Sequence, residues 1–132
     1  MELSKSDKRA ARAIIRKGLM AECERGLQGA AQIINDWKSG NSDPHKAYLD
    51  LYTHIADFDK GIAAQYDNLS NDSLIFALVR QLREGLLDAQ ELEGLSEEAR
   101  EQVRRFLEWR EGNGVSHSPY HKCQSVLSCK IR

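Results

Sequence analysis

Four side chains near the end of the chain, His117, His121, Cys123 and Cys129, could ligate a metal, since imidazole nitrogen and thiolate sulfur are the donors zinc prefers. Structural zinc sites usually bring ligands in two close pairs divided by a longer segment. Here Cys123 follows His121 too closely to form such a knuckle with Cys129. The pattern therefore reads as an irregular or weakly ordered tail over 113–132, with a metal site as the alternative. Cys123 and Cys129 also have the option of pairing under oxidation.

A second group, Asp50, His54 and Asp57 with Asp59 beside them, puts acid, base and ligand chemistry on neighbouring helical turns. These residues flank an apolar stripe rather than join it, which places them toward solvent. The Glu-x-x-His pairs of carboxylate-bridged metal bundles are missing. So are a Gly-rich phosphate loop, a Gly-x-Ser-x-Gly elbow and a His-Glu-x-x-His motif. No catalytic residue and no cofactor is implied.

The third group is basic. Lys5, Lys8, Arg9, Arg12 and Arg16 stand three or four residues apart, which gives one helical face a single sign of charge. Such a face can track a phosphate backbone with salt-dependent affinity. No base-reading motif accompanies it, and no aromatic residue precedes Trp37 to stack on bases. The other readings are a solvated surface, or docking on the acidic stretch from Glu84 to Glu101.

All three groups need elements to position them, and the periodicity is helical. Ser4 and Asp7 form a capping box that opens a first helix running to about Lys38. Along it Ala13, Met20, Cys23, Leu27, Ala30, Ile34 and Trp37 form the expected inward stripe, until Gly40 supplies a left-handed cap. Asp43 and Pro44 start a second helix, with Tyr48, Leu51, Tyr52, Ile55, Phe58, Ile62 and Tyr66 as its apolar set. A third runs from near Asp72 to Gly94 with Ile75, Leu78, Val79, Leu82, Leu86, Ala89 and Leu92 inward. The fourth starts at Ser96, buries Ala99, Val103, Phe106 and Leu107, and stops at Gly112.

The chain has 132 residues, 41% of them hydrophobic and 30% charged, at a net charge of −1. That suits one folded domain with one core, over 1–112, and excludes a disordered chain. Three cysteines are too few for a disulfide framework, so reduced thiols and a cytoplasmic protein without a membrane span are expected. Short connections between long helices predict an all-α, antiparallel bundle of four or five helices. The first helix, roughly 50 Å if unbroken, exceeds the 35 to 40 Å, roughly, of so small a globule. It must kink near Gly18, Gly26 or Gly29, or overhang and meet another subunit. The reading that follows is a non-enzymatic association module that forms homo-oligomers. The alternatives are nucleic-acid binding through the basic face, or metal binding through the tail.

Overall fold

A computed structural model describes residues 3–112. Among the described residues there are four α-helices: α1 (Lys5–Lys38), α2 (Pro44–Tyr66), α3 (Leu74–Arg83) and α4 (Glu97–Gly112), with short 3₁₀ turns at Asn71–Ser73 and Ala89–Gly94. The protein is an all-α bundle with a long first helix. No helix among the described residues is long and apolar enough to cross a membrane.

Each boundary has a local cause. Ser4 Oγ accepts from the Asp7 amide at 3.0 Å, and the Asp43 carboxylate accepts from the Lys46 amide at 2.8 Å ahead of Pro44. Both satisfy donors that a helix start leaves orphaned. At the end of α1 the Asn41 amide reaches back to Asp36 O and the Gly40 amide to Trp37 O. This pairing needs the left-handed Gly40, whose φ is 84°. No break occurs at Gly18: α1 is continuous.

The third helix is shorter than the periodicity predicts. It ends at Arg83 rather than near Gly94, because Gly85 adopts a φ of 73° and directs the Leu86 amide onto Gln81 O. Asp88 then starts the 3₁₀ turn, its amide donating to Glu91 Oε1 at 3.0 Å. Leu86, Leu87 and Leu92 are buried all the same, but from a turn rather than a helical face.

The core sits at one end of the molecule. It joins Leu3, Ala11, Ile14 and Ile15 from the start of the chain to Leu74, Ile75, Leu78 and Val79 of α3, and to Leu95, Ala99 and Val103 around α4. α2 runs antiparallel to α1, as Tyr66 meets Glu22, Phe58 faces Gly26 and His54 faces Gly29. α3 follows α1 in the same sense, since Arg12 bonds Asn71 near its start and Arg25 bonds Glu84 O just past its end. The second half of α1 and most of α2 therefore form a two-helix hairpin that extends past the core.

Inside that hairpin the glycines, not the large apolar residues of α1, face the other helix. A Cβ on Gly26 would lie 2.6 Å from the Phe58 ring, and one on Gly29 2.6 Å from the His54 ring. The inward column of α1 runs Ala11, Ile15, Gly18, Glu22, Gly26 and Gly29. Of the stripe expected to be inward, Ala30 is buried and Cys23 half-buried, whereas Ala13, Met20, Leu27, Ile34 and Trp37 lie around the helix from the contact and are exposed. Close approach of the two backbones is the reason. Gly26→Leu is accordingly expected to lower stability by about 1–3 kcal/mol through overpacking, although leucine is the better helix former. Urea unfolding of the variant beside the parent protein checks this.

Candidate functional site

The hairpin presents one apolar face. On α1 it carries Met20, Leu27, Ile34 and Trp37 with the half-buried Cys23, and on α2 Tyr48, Tyr52 and Ile55. Three of these residues come one position after a residue that faces the opposite helix: Leu27 after Gly26, Ile55 after His54, Tyr48 after the buried Ala47. In an antiparallel pair, a step of one residue turns both helices toward the same side. The two stripes therefore merge into one surface.

Its exposure is large for a monomer. Leu27 is 66% exposed, and Tyr48 and Tyr52 are 68% exposed each. Ala47 is the one buried residue of α2. Between Arg25 and Asp36 no charged residue occurs on α1, so the surface is dry in composition as well as apolar. A smaller patch lies on the core end, where Phe76 and Phe106 pack with ring centroids 4.9 Å apart and Trp109 is exposed nearby in sequence.

A polar clamp fixes the hairpin to the core. The Tyr66 hydroxyl donates to Glu22 Oε1 at 2.5 Å and accepts from Arg80 Nη2 and Gln81 Nε2, both at 2.9 Å. Arg80 also bonds Glu22 at 3.0 Å and Glu84 at 2.9 Å, and Gln81 donates to Ile15 O at 3.0 Å. Burial pushes the Tyr66 hydroxyl well above the ordinary phenol range, and the Glu22 carboxylate adds to this. Burial also raises the Glu84 carboxyl, against the pull of the Arg80 charge. A tyrosine held that firmly protonated, with its hydroxyl shared among Glu22, Arg80 and Gln81, is a structural joint of α1, α2 and α3, in which Gln81 Oε1 is buried without a hydrogen-bond partner among the described residues.

A second joint closes the far end of the core. Asp7 is buried and accepts from the Ser96 amide at 2.8 Å and the Ser96 hydroxyl at 2.6 Å, while Ser96 caps α4 through the Ala99 amide. The Ser96 hydroxyl holds the Asp7 carboxyl below the ordinary aspartate range. Burial opposes this, and the Ser96 amide and Ser4 add to it. A carboxyl with a depressed native value stabilises above its unfolded value, about 3.9, and that contribution fades as the pH falls through the native one. Urea midpoints measured down to pH 3 should thus drop in the parent protein, and drop less in Asp7→Asn.

The basic residues stand where the helical spacing puts them. Lys5, Arg9, Arg12 and Arg16 are exposed along the outer side of α1 and Lys8 is half-buried. Arg12 donates to Asn71 at 2.8 Å. Among the described residues none of the five forms an ion pair, so the expected docking on the acidic stretch is not made within the chain. That stretch engages α1 elsewhere, through Glu84 and the Ser96 cap.

The Asp50, His54 and Asp57 group is not assembled. Asp50 pairs with Lys46 at 2.6 Å, and Asp57 is exposed. His54, expected to face solvent, instead turns into the hairpin, where Nε2 donates to Gly26 O at 2.8 Å. The space above Gly29 admits the ring, which is why it points inward. Among the described residues no group of three or more His, Cys, Asp or Glu side chains could hold a metal. His117, His121, Cys123 and Cys129 lie outside the described residues, as does the whole segment 113–132. An open polar concavity of about 380 Å³ lies between the second 3₁₀ turn and α4, lined by Gln90, Glu93, Glu97, Arg100 and Arg104 with Ala89.

Fold and surface together define a small all-α bundle with a projecting antiparallel hairpin. Compared with known proteins, the chain matches no family model, no curated protein and no solved structure.

Proposed function

We propose that the protein is a non-enzymatic association module that pairs with a second copy of itself through the α1/α2 hairpin face. The single observation that supports this reading is the continuous apolar surface of Met20, Leu27, Ile34, Trp37, Tyr48, Tyr52 and Ile55 on an arm outside the core. Monomers rarely leave a patch of that extent in water. From the exposed fractions and typical side-chain areas, these residues hold on the order of 800 Å², which is what one partner contributes to a standard interface.

A second copy is the occupant that fits. A flat face on an antiparallel hairpin is complementary to itself across a two-fold axis, and two such hairpins make a four-helix bundle. The uncharged run of α1 supports a like partner, since the α1 halves of two such faces meet without a buried unpaired charge. Met20, Leu27 and Ile34 recur at intervals of seven, the spacing that keeps a seam facing a neighbouring helix. Light scattering of the unmodified chain should give twice the 15.0 kDa chain mass at micromolar concentrations. A strictly monomeric mass across that range would reject the reading.

A further inference from the structure

We infer that the outer face of the first half of α1, formed by Lys5, Arg9, Arg12 and Arg16, is a binding site for the phosphate backbone of nucleic acid, read without base specificity. Different residues carry this inference from those of the hairpin face, and it stands whether or not the chain self-associates.

Three observations converge on it. First, the stripe carries no opposing charge of its own. Asp7 is the one carboxylate between Leu3 and Ala21, and it is buried and turned toward Ser96 on the inner side of α1. On α1 itself the outer face is left with cations alone, and the acidic Asp72 follows the Asn71 that Arg12 engages. Second, the four residues are exposed and succeed one another every three or four positions, about one cation per 5 Å of helix axis. Three of the four are arginines, whose planar fork of donors matches phosphate oxygens. Asn71 engages one Nη of Arg12, and a guanidinium has further donors to spend on a second acceptor.

Third, the chemistry that other anionic partners would need is missing between Lys5 and Arg16. The large apolar residues of this stretch, Ile14 and Ile15, are buried in the core with Ala11, and the first exposed one, Met20, stands a turn beyond Arg16 on the hairpin face. No large apolar or aromatic side chain among the four cations is exposed to anchor in a protein pocket or sink into a lipid headgroup layer. Affinity at such a face must come from charge alone. Counterion release from a polyphosphate supplies that, and a lone carboxylate or an isolated phosphate does not.

Titration of the full chain with a short duplex DNA and with a single-stranded RNA tests the inference. With four phosphates neutralised on duplex, the logarithm of affinity should fall against the logarithm of salt with a slope near −3.6, about a hundredfold loss between 50 and 200 mM salt. Arg9→Ala, Arg12→Ala and Arg16→Ala together should cut the slope to about −1 and weaken binding at low salt at least tenfold. The same three positions as lysine should keep most of both. Alanine at Arg104 and Arg105, which pair with Glu101 on α4, should change neither. Circular dichroism should report an unchanged fold, since every altered side chain on α1 is exposed. Absence of binding at 50 mM salt overturns the proposal. So does binding without a salt slope, binding by the triple alanine variant equal to the parent's, or binding to phosphatidylserine vesicles with none to either nucleic acid.

Discussion

Arg80→Met should cost about 3–5 kcal/mol of folding stability, a large part of what a domain of this size possesses. Arg80 lies where the three helices meet. Its side chain is 18% exposed, and it faces Glu22 and Glu84, which are 3% and 9% exposed. Methionine keeps most of the volume but removes the guanidinium that bonds both Glu22 and Glu84, the two buried carboxylates of this junction. An uncompensated buried charge is far more costly than the pair was beneficial. The diagnostic comparison is the double variant. Adding Glu22→Gln to Arg80→Met should recover much of the loss, and urea unfolding of the four proteins in the cycle gives the coupling directly. Equal stability of the parent and Arg80→Met would remove the clamp from this account.

Leu27→Glu combined with Tyr52→Glu should do the opposite: spare the fold and abolish association. Both side chains are about two-thirds exposed in the single chain, so their replacement should shift monomer stability by no more than about 0.5 kcal/mol each. Across a two-fold interface every change occurs twice, and each glutamate would be driven into a dry surface. Residues at the centre of such surfaces are typically worth 2 kcal/mol or more, about thirtyfold each in affinity. The double variant should therefore remain at one chain mass at concentrations where the parent is dimeric, with its circular dichroism unchanged. A variant that stays dimeric would place the interface elsewhere, with the Phe76 and Phe106 patch next in size.

Much of the fold could be read in the residues. Helical period, the Ser4 and Asp43 caps, Pro44 and Gly40 located α1 and α2 almost to the residue, because each is a local signal with a local cause. The end of α3 was less legible. Leu86, Ala89 and Leu92 keep the spacing of a helix, and nothing in that spacing shows that Gly85 takes the left-handed conformation. Periodicity also misjudged which face of the hairpin is inside. A stripe of large apolar residues looks like core, and at Met20, Leu27, Ile34 and Trp37 of α1 and Tyr48, Tyr52 and Ile55 of α2 it lies away from the true contact, while Phe58 and Tyr66 do face α1. The correct signal was available in the small residues: Ala11, Gly18, Gly26 and Gly29 form a column, and small columns mark where another helix comes close. Glu22 within that column was equally a sign of a buried partner, but its partners Tyr66 and Arg80 are more than forty residues distant in the chain. Only the folded arrangement pairs them.

The same displacement explains why the surface outranks any single side chain as the candidate site. On the hairpin, several residues that read as packing (Met20, Leu27, Ile34, Trp37, Tyr48, Tyr52, Ile55) are exposed. The residues that read as chemistry are dispersed (Asp50, Asp57), inward (His54) or outside the described part of the chain (His117, His121, Cys123, Cys129).

Oxidative footprinting of the full chain, above and below the concentration at which its mass doubles, reads the hairpin face residue by residue. Met20, Trp37, Tyr48 and Tyr52 should become protected together on association, while Trp109 at the core end keeps its reactivity. Protection of Trp109 with Tyr48 and Tyr52 unchanged would rule out pairing through the hairpin.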